Sequence, residues 1–315
     1  MRADELPSLQ QAEARRLLYR RVVLVPMSRA IKFYATLKAN LTLGALVRNV
    51  YHHNHQSCQL FAQNVHLLPS LRELEGPWFF RDLPSLSSSP GTEIRPKLQN
   101  LIIENSTSTY LSRDPHTLAP WVDLGSLRRL EVLWPFQNLY SADGHHLKTL
   151  LQSPLIEELA FKRFATLTST FKRLLTQKLV RLRALSITTE SFSTSWPTIG
   201  WPTEYPVLQS LTLSGNLVHP VFSQAIFRSL ETLRLIGWKR IPGVTPQPPT
   251  VSYYVNILCD AVAERPERYP VLREVSFPHH PSGSDAAANL KLIADELATV
   301  GLSLVDDDGN PITFS

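Results

Sequence analysis

A short phrase of hydrophobic and polar positions recurs along the chain. It consists of an aliphatic residue, two variable positions, a second aliphatic residue, one variable position and usually a third apolar residue. Eight copies start at Leu71, Leu98, Leu127, Ile156, Leu182, Leu208, Leu230 and Leu272. Subtracting these positions gives spacings of 27, 29, 29, 26, 26, 22 and 42 residues. The recurrence predicts a chain built from repeated structural units.

The most regular copy indicates the kind of repeat. Leu208, Leu211 and Leu213 are followed by Asn216, which matches the L-x-x-L-x-L-x-x-N pattern of leucine-rich repeats, and such repeats run at about 20 to 29 residues. A unit of this size cannot bury its own apolar side chains, so successive units stack their strands around a continuous core. The predicted fold class is α/β, a leucine-rich-repeat-like solenoid: a curved parallel sheet with helices and irregular segments on its outer face.

Two copies of the phrase are irregular. The copy at Leu71 has Gly76 in its third slot. The segment that begins at residue 43 resembles a degenerate first copy, with Val47 and Val50 in the first two slots and His52 in the third. Including this segment extends the predicted array to nine units.

The residues before the array predict an N-terminal cap. A helix over 10–20 is followed by a β-branched run that starts at Val22 and that Pro26 ends. Ser28 is in position to cap a second helix that ends near Asn40. The apolar residues of that helix recur every three positions: Ile31, Tyr34 and Leu37.

Helical spacing of apolar residues also appears between and after the strands. It predicts helices over 143–152, 164–177, 221–227 and 253–265. Near the end of the chain, Ser284 can cap a helix that ends before Gly301, and residues 302–305 predict a closing strand. The predicted domains are an N-terminal helical cap (1–42), the solenoid (43–283) and a C-terminal cap (284–315).

The residues that alternate with the leucines are expected to line the concave face, because side chains along a strand point to opposite sides. In the first half these are mostly acidic, with two bases: Glu73, Glu75, Glu104, Glu131 and Glu158, with Arg129 and Lys162. In the second half they are small and hydroxyl-bearing, with one charge: Ser186, Ser210, Thr212 and Arg234. These residues are either solvated strand positions or a binding face for a protein partner. In the second case the N-terminal end of the face would prefer a basic region of that partner.

Composition narrows the classes of partner. The net charge is +5 and the isoelectric point is near 9.2, but the basic residues are dispersed and the predicted face is acidic at one end, so nucleic acid is not favoured. The N-terminus has no apolar signal region, and no apolar run approaches the roughly 18 residues that span a membrane. We expect a protein of the cytoplasm or nucleus without a membrane partner.

Candidate chemistry is sparse. The chain has no nucleophile elbow, phosphate loop, dinucleotide fingerprint or metalloprotease motif, so the sequence predicts neither an enzyme nor a cofactor. His52, His55 and Cys58 recur every three residues, as zinc ligands can, but they lack the second half-site of a zinc site. The acidic residues from Asp306 lack the alternating ligands of a calcium loop, so a turn is expected there. Three tryptophans just beyond repeat strands are either contact anchors or loop-edge packing: Trp78, Trp134 and Trp238.

The order of three sequence features carries a resemblance to a known family. The segment ARRLLYRRVVL (14–24) is followed by LGALVRNV (43–50) and by degenerate repeats that end in YPVLREVSF (269–277). This order resembles fungal F-box proteins with leucine-rich-repeat-like C-terminal regions, and it covers most of the chain. In that family the F-box docks on the adaptor subunit of a cullin ubiquitin ligase and the repeats receive the substrate. Few residues precede the ARRLLYR helix, so the F-box itself is expected to be largely missing.

The sequence therefore predicts a non-enzymatic protein–protein interaction scaffold. The resemblance implies the substrate-recognition part of an F-box ubiquitin-ligase receptor, with the ligase adaptor as a second partner. The alternatives are a stand-alone leucine-rich-repeat binding protein without a ligase role and, further back, a nucleic-acid-binding module.

Overall fold

The computed structural model describes residues 6–52, 55–77, 96–104, 124–133, 153–164, 180–189, 204–214, 225–236, 251–277, 286–306 and 308–312. These residues belong to two compact units, the first containing the described residues up to 156 and the second those from 157 onward. Each unit combines helices with a sheet of parallel strands, so the chain has an α/β fold.

The first unit begins with helices and continues with repeat strands. Its described helices are α1 (Leu6–Arg20), α2 (Met27–Ala39), the short α3 (Leu41–Gly44) and α4 (His55–Asn64). Its described strands are β1 (Arg21–Leu24), β2 (Asn49–His52), β3 (Glu73–Pro77), β4 (Asn100–Glu104) and β5 (Arg129–Leu133). Within this unit the strands pair in parallel in sequence order: β1 with β2, β2 with β3, β3 with β4, and β4 with β5.

The second unit repeats this arrangement. Its described strands are β6 (Glu158–Phe164), β7 (Ala184–Thr189), β8 (Ser210–Ser214), β9 (Thr232–Ile236), β10 (Glu274–Ser276) and β11 (Ser303–Val305). Each again pairs in parallel with its successor. Helix α5 (Val251–Glu264) precedes β10, and α6 (Ala286–Thr299) precedes β11 and packs against α5.

The recurring phrase produces the strands because its apolar slots alternate with polar positions. In the most regular copy Leu208, Leu211 and Leu213 are all buried, which follows from the opposite directions of successive side chains in a strand. The strands of all nine predicted copies are present among the described residues, including β2 for the degenerate copy at Val47. The prediction that each phrase forms a strand of a parallel sheet is therefore confirmed.

A repeated hydrogen-bond pattern links neighbouring strands at the same point of the phrase. The carbonyl oxygen of Gln209, directly after the first slot, accepts from the backbone N–H groups of Glu231 at 2.9 Å and Thr232 at 3.1 Å. The same paired bonds reach the carbonyl oxygens of Arg48, Arg72 and Gln99 in the first unit. Successive strands therefore start in register, which brings equivalent side chains of neighbouring copies side by side.

The two irregular third slots, at His52 and Gly76, lie against each other on neighbouring strands. His52 fills the third slot of β2 and is fully buried, at 5.1 Å between ring centroids from Phe61. On the neighbouring strand, a Cβ atom added to Gly76 would lie 2.6 Å from the carbonyl oxygen and 2.9 Å from the Cβ atom of His52. Gly76 also has a φ of 153°, which glycine adopts more readily than other residues. The close approach of the His52 backbone and Cβ atom thus requires glycine at position 76.

Helix α2 departs from the prediction at its start and on its buried face. It begins at Met27 with Pro26 at the N-cap position and no side-chain cap, so the predicted capping role of Ser28 is wrong; the carbonyl oxygen of Pro26 accepts from the Arg29 N–H at 2.9 Å. Ile31 is 54% exposed, and the buried residues are Ala30, Tyr34 and Leu37. Spacings of four and three residues follow the helical period of 3.6, whereas a strict spacing of three drifts around the helix.

The predicted helix over 221–227 is wrong where the structure describes it. Ile226 forms a parallel bridge with Glu204, and the Phe227 N–H donates to the Arg268 carbonyl oxygen at 2.9 Å. The Phe227 ring stacks on Tyr205 at 4.8 Å and on Tyr269 at 6.2 Å between centroids. Burial of the Phe227 ring in this stack and the backbone bonds to other copies of the phrase outweigh the local helical pattern. The predicted helices over 143–152 and 164–177 lie outside the described residues.

The predicted C-terminal helix end, strand and turn agree with the structure, whereas the predicted cap Ser284 lies outside the described residues. Helix α6 ends before Gly301, whose φ of 77° suits the left-handed conformation that follows many helices, and the Leu302 N–H donates to the Leu297 carbonyl oxygen at 3.0 Å. Asp306 closes a turn, because its Oδ1 atom accepts from the N–H groups of Asp308 at 2.9 Å and Asn310 at 2.8 Å. These bonds, led by that from Asn310, hold the pKa of Asp306 below its usual value.

Candidate functional site

The strands of the first unit carry two rows of outward side chains, which we call the first polar face. The register aligns one row across β1 to β5: Arg21, Asn49, Glu73, Asn100 and Arg129. It aligns a second row beside it: Val23, Tyr51, Glu75, Ile102 and Glu131. Neighbouring strands lie about 4.8 Å apart, so adjacent members of a row are within contact distance.

Glu73 lies at the middle of the first row and is held from both sides. Its Oε1 atom accepts a hydrogen bond from the Asn49 amide at 3.2 Å, and its Oε2 atom accepts one from the Asn100 amide at 2.9 Å. All three residues are partly buried. The carboxylate is thus fixed in orientation by two neutral donors on the neighbouring strands.

The other two glutamates described on this face have cationic partners. Arg21 lies 4.0 Å from Glu75, whose side chain is 22% exposed. Arg129 donates to Glu131 at 3.0 Å, and the Glu131 side chain is only 6% exposed. A carboxylate buried to that degree needs such a partner, because its hydration is lost. Glu131 is therefore a buried and paired acid of this face, and its role in binding stays a prediction.

These pairs change the charge predicted for the face. The described charged side chains of the two rows are Arg21, Glu73, Glu75, Arg129 and Glu131, which together carry one net negative charge. Arg21 was not expected to contribute, since β1 does not carry the phrase. The face is less acidic than the five glutamates of the sequence predict, and Glu158 and Lys162 belong to the second unit.

The strands of the second unit form the second polar face, which has a different composition. One row across β6 to β11 contains mostly small residues: Glu158, Ala184, Ser210, Thr232, Glu274 and Ser303. The row beside it is similar: Ala160, Ser186, Thr212, Arg234 and Ser276. Most of these side chains are half-buried. The structure thus brings together the predicted hydroxyl-bearing residues, with Lys162 also half-buried on the same unit.

The titratable groups of the core do not combine into a reactive site. Burial lowers the pKa of His52 to about 3, so its ring is neutral near pH 7. Burial, with smaller effects of Glu296 and Asp260, raises the pKa of the Cys259 thiol to about 11. Within the described ranges, no group of three or more histidine, cysteine or acidic residues could hold a metal ion.

Several predicted site residues lie outside the described residues. These are Trp78, Trp134 and Trp238, and the side chain of Glu104, whose backbone forms the end of β4. Their role in binding stays a prediction. In the described part of the chain the longest helix has 15 residues, and no helix combines the length and apolar composition that a membrane span requires.

Three features that were not predicted have a signal in the sequence: Arg21 on the face, Asn49 beside Glu73, and the aromatic stack. Arg21 and Val23 alternate with Val22 and the buried Leu24, which is the strand pattern that places Arg21 on the face. Asn49 occupies the same slot of its phrase as Glu73 and Asn100, two positions after the first apolar residue. The aromatic stack also had a signal, because YPVL occurs at both 205–208 and 269–272.

No protein-family model matches the chain, and no curated protein shows significant similarity to it. Any inference about function therefore rests on the two polar faces and on the chemistry of their side chains.

Proposed function

We propose that this chain is a non-enzymatic protein–protein interaction scaffold built from leucine-rich-repeat-like units, and that a protein partner binds at its polar faces. The proposal is supported by the parallel strands at every copy of the phrase and by the rows of half-buried polar side chains that they carry. Binding residues of repeat proteins characteristically lie on such exposed positions of a rigid array.

The observation that carries the proposal is the order of the first polar face. Both oxygens of Glu73 are held by amides of neighbouring strands, and Arg129 is held by Glu131. Such bonds between neighbouring strands stabilise the sheet, and they also fix the positions of the polar groups that the face presents. Side chains that are already ordered lose less conformational entropy when a partner binds, which raises affinity.

The specific form of the proposal is the substrate-recognition part of an F-box ubiquitin-ligase receptor in the cytoplasm or nucleus. It derives from the resemblance of the segments 14–24, 43–50 and 269–277 to that family. The N-terminal segment that would dock the ligase adaptor contains Leu17 and Leu18, which are 57% and 72% exposed on α1. Exposed leucines on a helix are suited to contact with another protein.

The alternative is a stand-alone leucine-rich-repeat binding protein without a ligase role. It has the same polar faces and differs only in lacking the ligase adaptor as a partner. A nucleic-acid-binding module ranks third, because the first polar face carries a net negative charge. Salt-dependent binding to RNA or DNA would favour that module, since phosphate contacts release counterions.

The test of the scaffold uses a bulky substitution on the face and a matched one elsewhere. Thr212→Tyr places a large ring among the small residues of the second polar face, and Ala298→Tyr places the same ring on the exposed side of α6. The tagged variants and the wild type are used to capture proteins from native lysate, with quantitative mass spectrometry. We expect one or more proteins to be lost with Thr212→Tyr and retained with Ala298→Tyr. An identical set for all three chains would contradict the proposal.

The same capture tests the ligase form. We expect the ligase adaptor and a cullin to accompany the wild type and to be lost with Leu18→Glu, which changes an exposed side chain without disturbing the core. Capture of other proteins without the adaptor and cullin would leave the stand-alone scaffold.

A further inference from the structure

We infer that Glu73 is the receptor for a cationic side chain, lysine or arginine, of the protein partner. The inference rests on the proposed function and assigns its specificity to one residue. The sequence predicts a generally acidic end of the binding face, whereas the structure concentrates that preference at a single carboxylate.

The three described glutamates of the first polar face differ in how their charge is balanced. Glu75 lies near Arg21, and Glu131 is paired with Arg129. The hydrogen bonds of Glu73 come from the neutral amides of Asn49 and Asn100, and none of the salt bridges among the described residues includes Glu73. Its negative charge is therefore held in place without a cationic partner in the described part of the chain.

The arginines of the same row are paired with other glutamates. Arg21 and Arg129 are each two strands away from β3 in the register, a separation of about 10 Å between strand axes. Both guanidinium groups are directed to the second row, to Glu75 and Glu131. The row therefore presents the Glu73 carboxylate between two amides, while each arginine is paired with a glutamate of the second row.

The geometry around Glu73 fits a long cationic side chain. Each carboxylate oxygen has two lone pairs and uses one of them for an asparagine amide. One acceptor position is left on each oxygen, the arrangement that a guanidinium group binds with two parallel hydrogen bonds and an ammonium group with one. Tyr51 and Ile102 are half-buried in the adjoining row, where they offer apolar surface to the methylene groups of the incoming side chain.

Burial makes this carboxylate a stronger receptor than an exposed one. Glu73 is half-buried, whereas Glu158 of the second polar face is exposed. Exposed ion pairs contribute little because water screens them and both side chains must be ordered. At Glu73 the two amides have already ordered the acid, so a partner's cation meets a fixed and partly desolvated acceptor.

The experiment selects binders of known sequence for the full-length chain. A displayed library of random peptides is panned against the wild type, and the affinity of the tightest peptides is measured for variants. Glu73→Gln removes the charge and keeps the shape, since either asparagine amide can turn its carbonyl oxygen toward the new amide. Glu264→Gln, on the exposed end of α5, removes one charge away from both faces and is the matched control.

We expect the selected peptides to share a lysine or arginine at one position. Glu73→Gln should weaken binding about tenfold, the size expected when a hydrogen-bonded ion pair is lost. Glu264→Gln should leave the affinity unchanged. Replacing the shared arginine of the peptide by neutral citrulline should weaken binding to the wild type by a similar factor and have no further effect on Glu73→Gln.

The outcomes distinguish the role of Glu73 from the proposed scaffold function. Peptides that bind the wild type but tolerate both citrulline and Glu73→Gln would overturn the role of Glu73 and leave the scaffold intact. The absence of any binder would overturn the proposed function and the role of Glu73 with it. The citrulline measurement uses the unaltered chain, so it decides the matter even if Glu73→Gln does not fold.

Discussion

The two polar faces are supported by the same strand pattern and carry different chemistry. In the first unit, charged and amide side chains bond across neighbouring strands, as Asn49, Glu73 and Asn100 do. In the second unit, the equivalent positions hold small side chains such as Ala184, Ser210 and Thr212, with few charges. The buried slots of both units are filled mainly by leucine, isoleucine, valine and phenylalanine. Folding thus constrains the slots, while the outward positions are free to differ.

This difference indicates a division of roles between the faces. The first face presents fixed acceptors and donors, which favour one orientation of a charged side chain. The second presents hydroxyl groups that rotate to suit either a donor or an acceptor.

The largest effects are expected in the buried slots, where the two units should respond alike. Leu130→Ala in the first unit and Leu211→Ala in the second each remove a fully buried side chain and should lower the free energy of unfolding by about 2–5 kcal/mol. Thr212→Ala on the second polar face should change it by only about 0.5 kcal/mol. Urea denaturation measures all three. A small effect of either leucine substitution would show that the buried slots of the two units do not contribute equally to stability.

The buried His52, in the third slot of β2, should make the free energy of unfolding of the first unit depend on pH. Because burial lowers the pKa of His52 to about 3, the unfolded chain binds an extra proton between that pH and about 6.5, and stability falls as the pH falls through this window. The loss should reach roughly 4 kcal/mol. His52→Leu should remove this component of the pH profile, whereas His66→Gln, an exposed histidine, should retain it. Parallel profiles for wild type and His52→Leu would contradict the buried position.

The glycine opposite His52 provides a second contrast between the units. Gly76→Ala places a methyl group against the His52 carbonyl oxygen and Cβ atom and should cost about 2–4 kcal/mol. Gly301→Ala, also at positive φ but with no atom within 4 Å of the added Cβ, should cost about 1 kcal/mol. Thermal unfolding of both variants tests this. Equal costs would mean that backbone conformation alone, and not the contact with His52, requires glycine at position 76.

The two ion pairs of the first polar face should differ in strength. Arg129→Met removes the guanidinium group that donates to the buried Glu131 carboxylate and should cost about 1–2 kcal/mol. Arg21→Met disrupts a longer and more exposed pair and should cost less than about 0.5 kcal/mol. Chemical denaturation at low and high salt measures the difference. A larger loss of stability from Arg21→Met would mean that Glu75, and not Glu131, forms the stronger ion pair.

The strands could be predicted from the sequence because each depends on a local alternation of apolar and polar residues. Leu208, Leu211 and Leu213 lie within six residues, and their burial follows from that spacing alone. The hydrogen-bond network of Glu73 with Asn49 and Asn100 could not be predicted in the same way. It joins three strands that are separated by long segments, and it depends on the register between them.

The same limit explains the errors at Ile226 and Ile31. The helical pattern over 221–227 is local, but Phe227 is held by Tyr205 and Tyr269 from other copies of the phrase. The exposure of Ile31 depends on which face of α2 packs against the rest of the unit. Local patterns predict an element, whereas its neighbours decide which of its side chains are buried or paired.

The most direct test of the central claim asks where a partner contacts the chain. A photo-reactive phenylalanine analogue is placed at Ile102 on the first polar face, at Thr212 on the second, or at Ala298 on the exposed side of α6. Each chain is irradiated in native lysate and its cross-linked proteins are identified by mass spectrometry. We predict that one protein cross-links from Ile102, Thr212 or both and not from Ala298. Cross-linking of the captured protein from Ala298 alone would contradict the assignment of the polar faces as the binding surface.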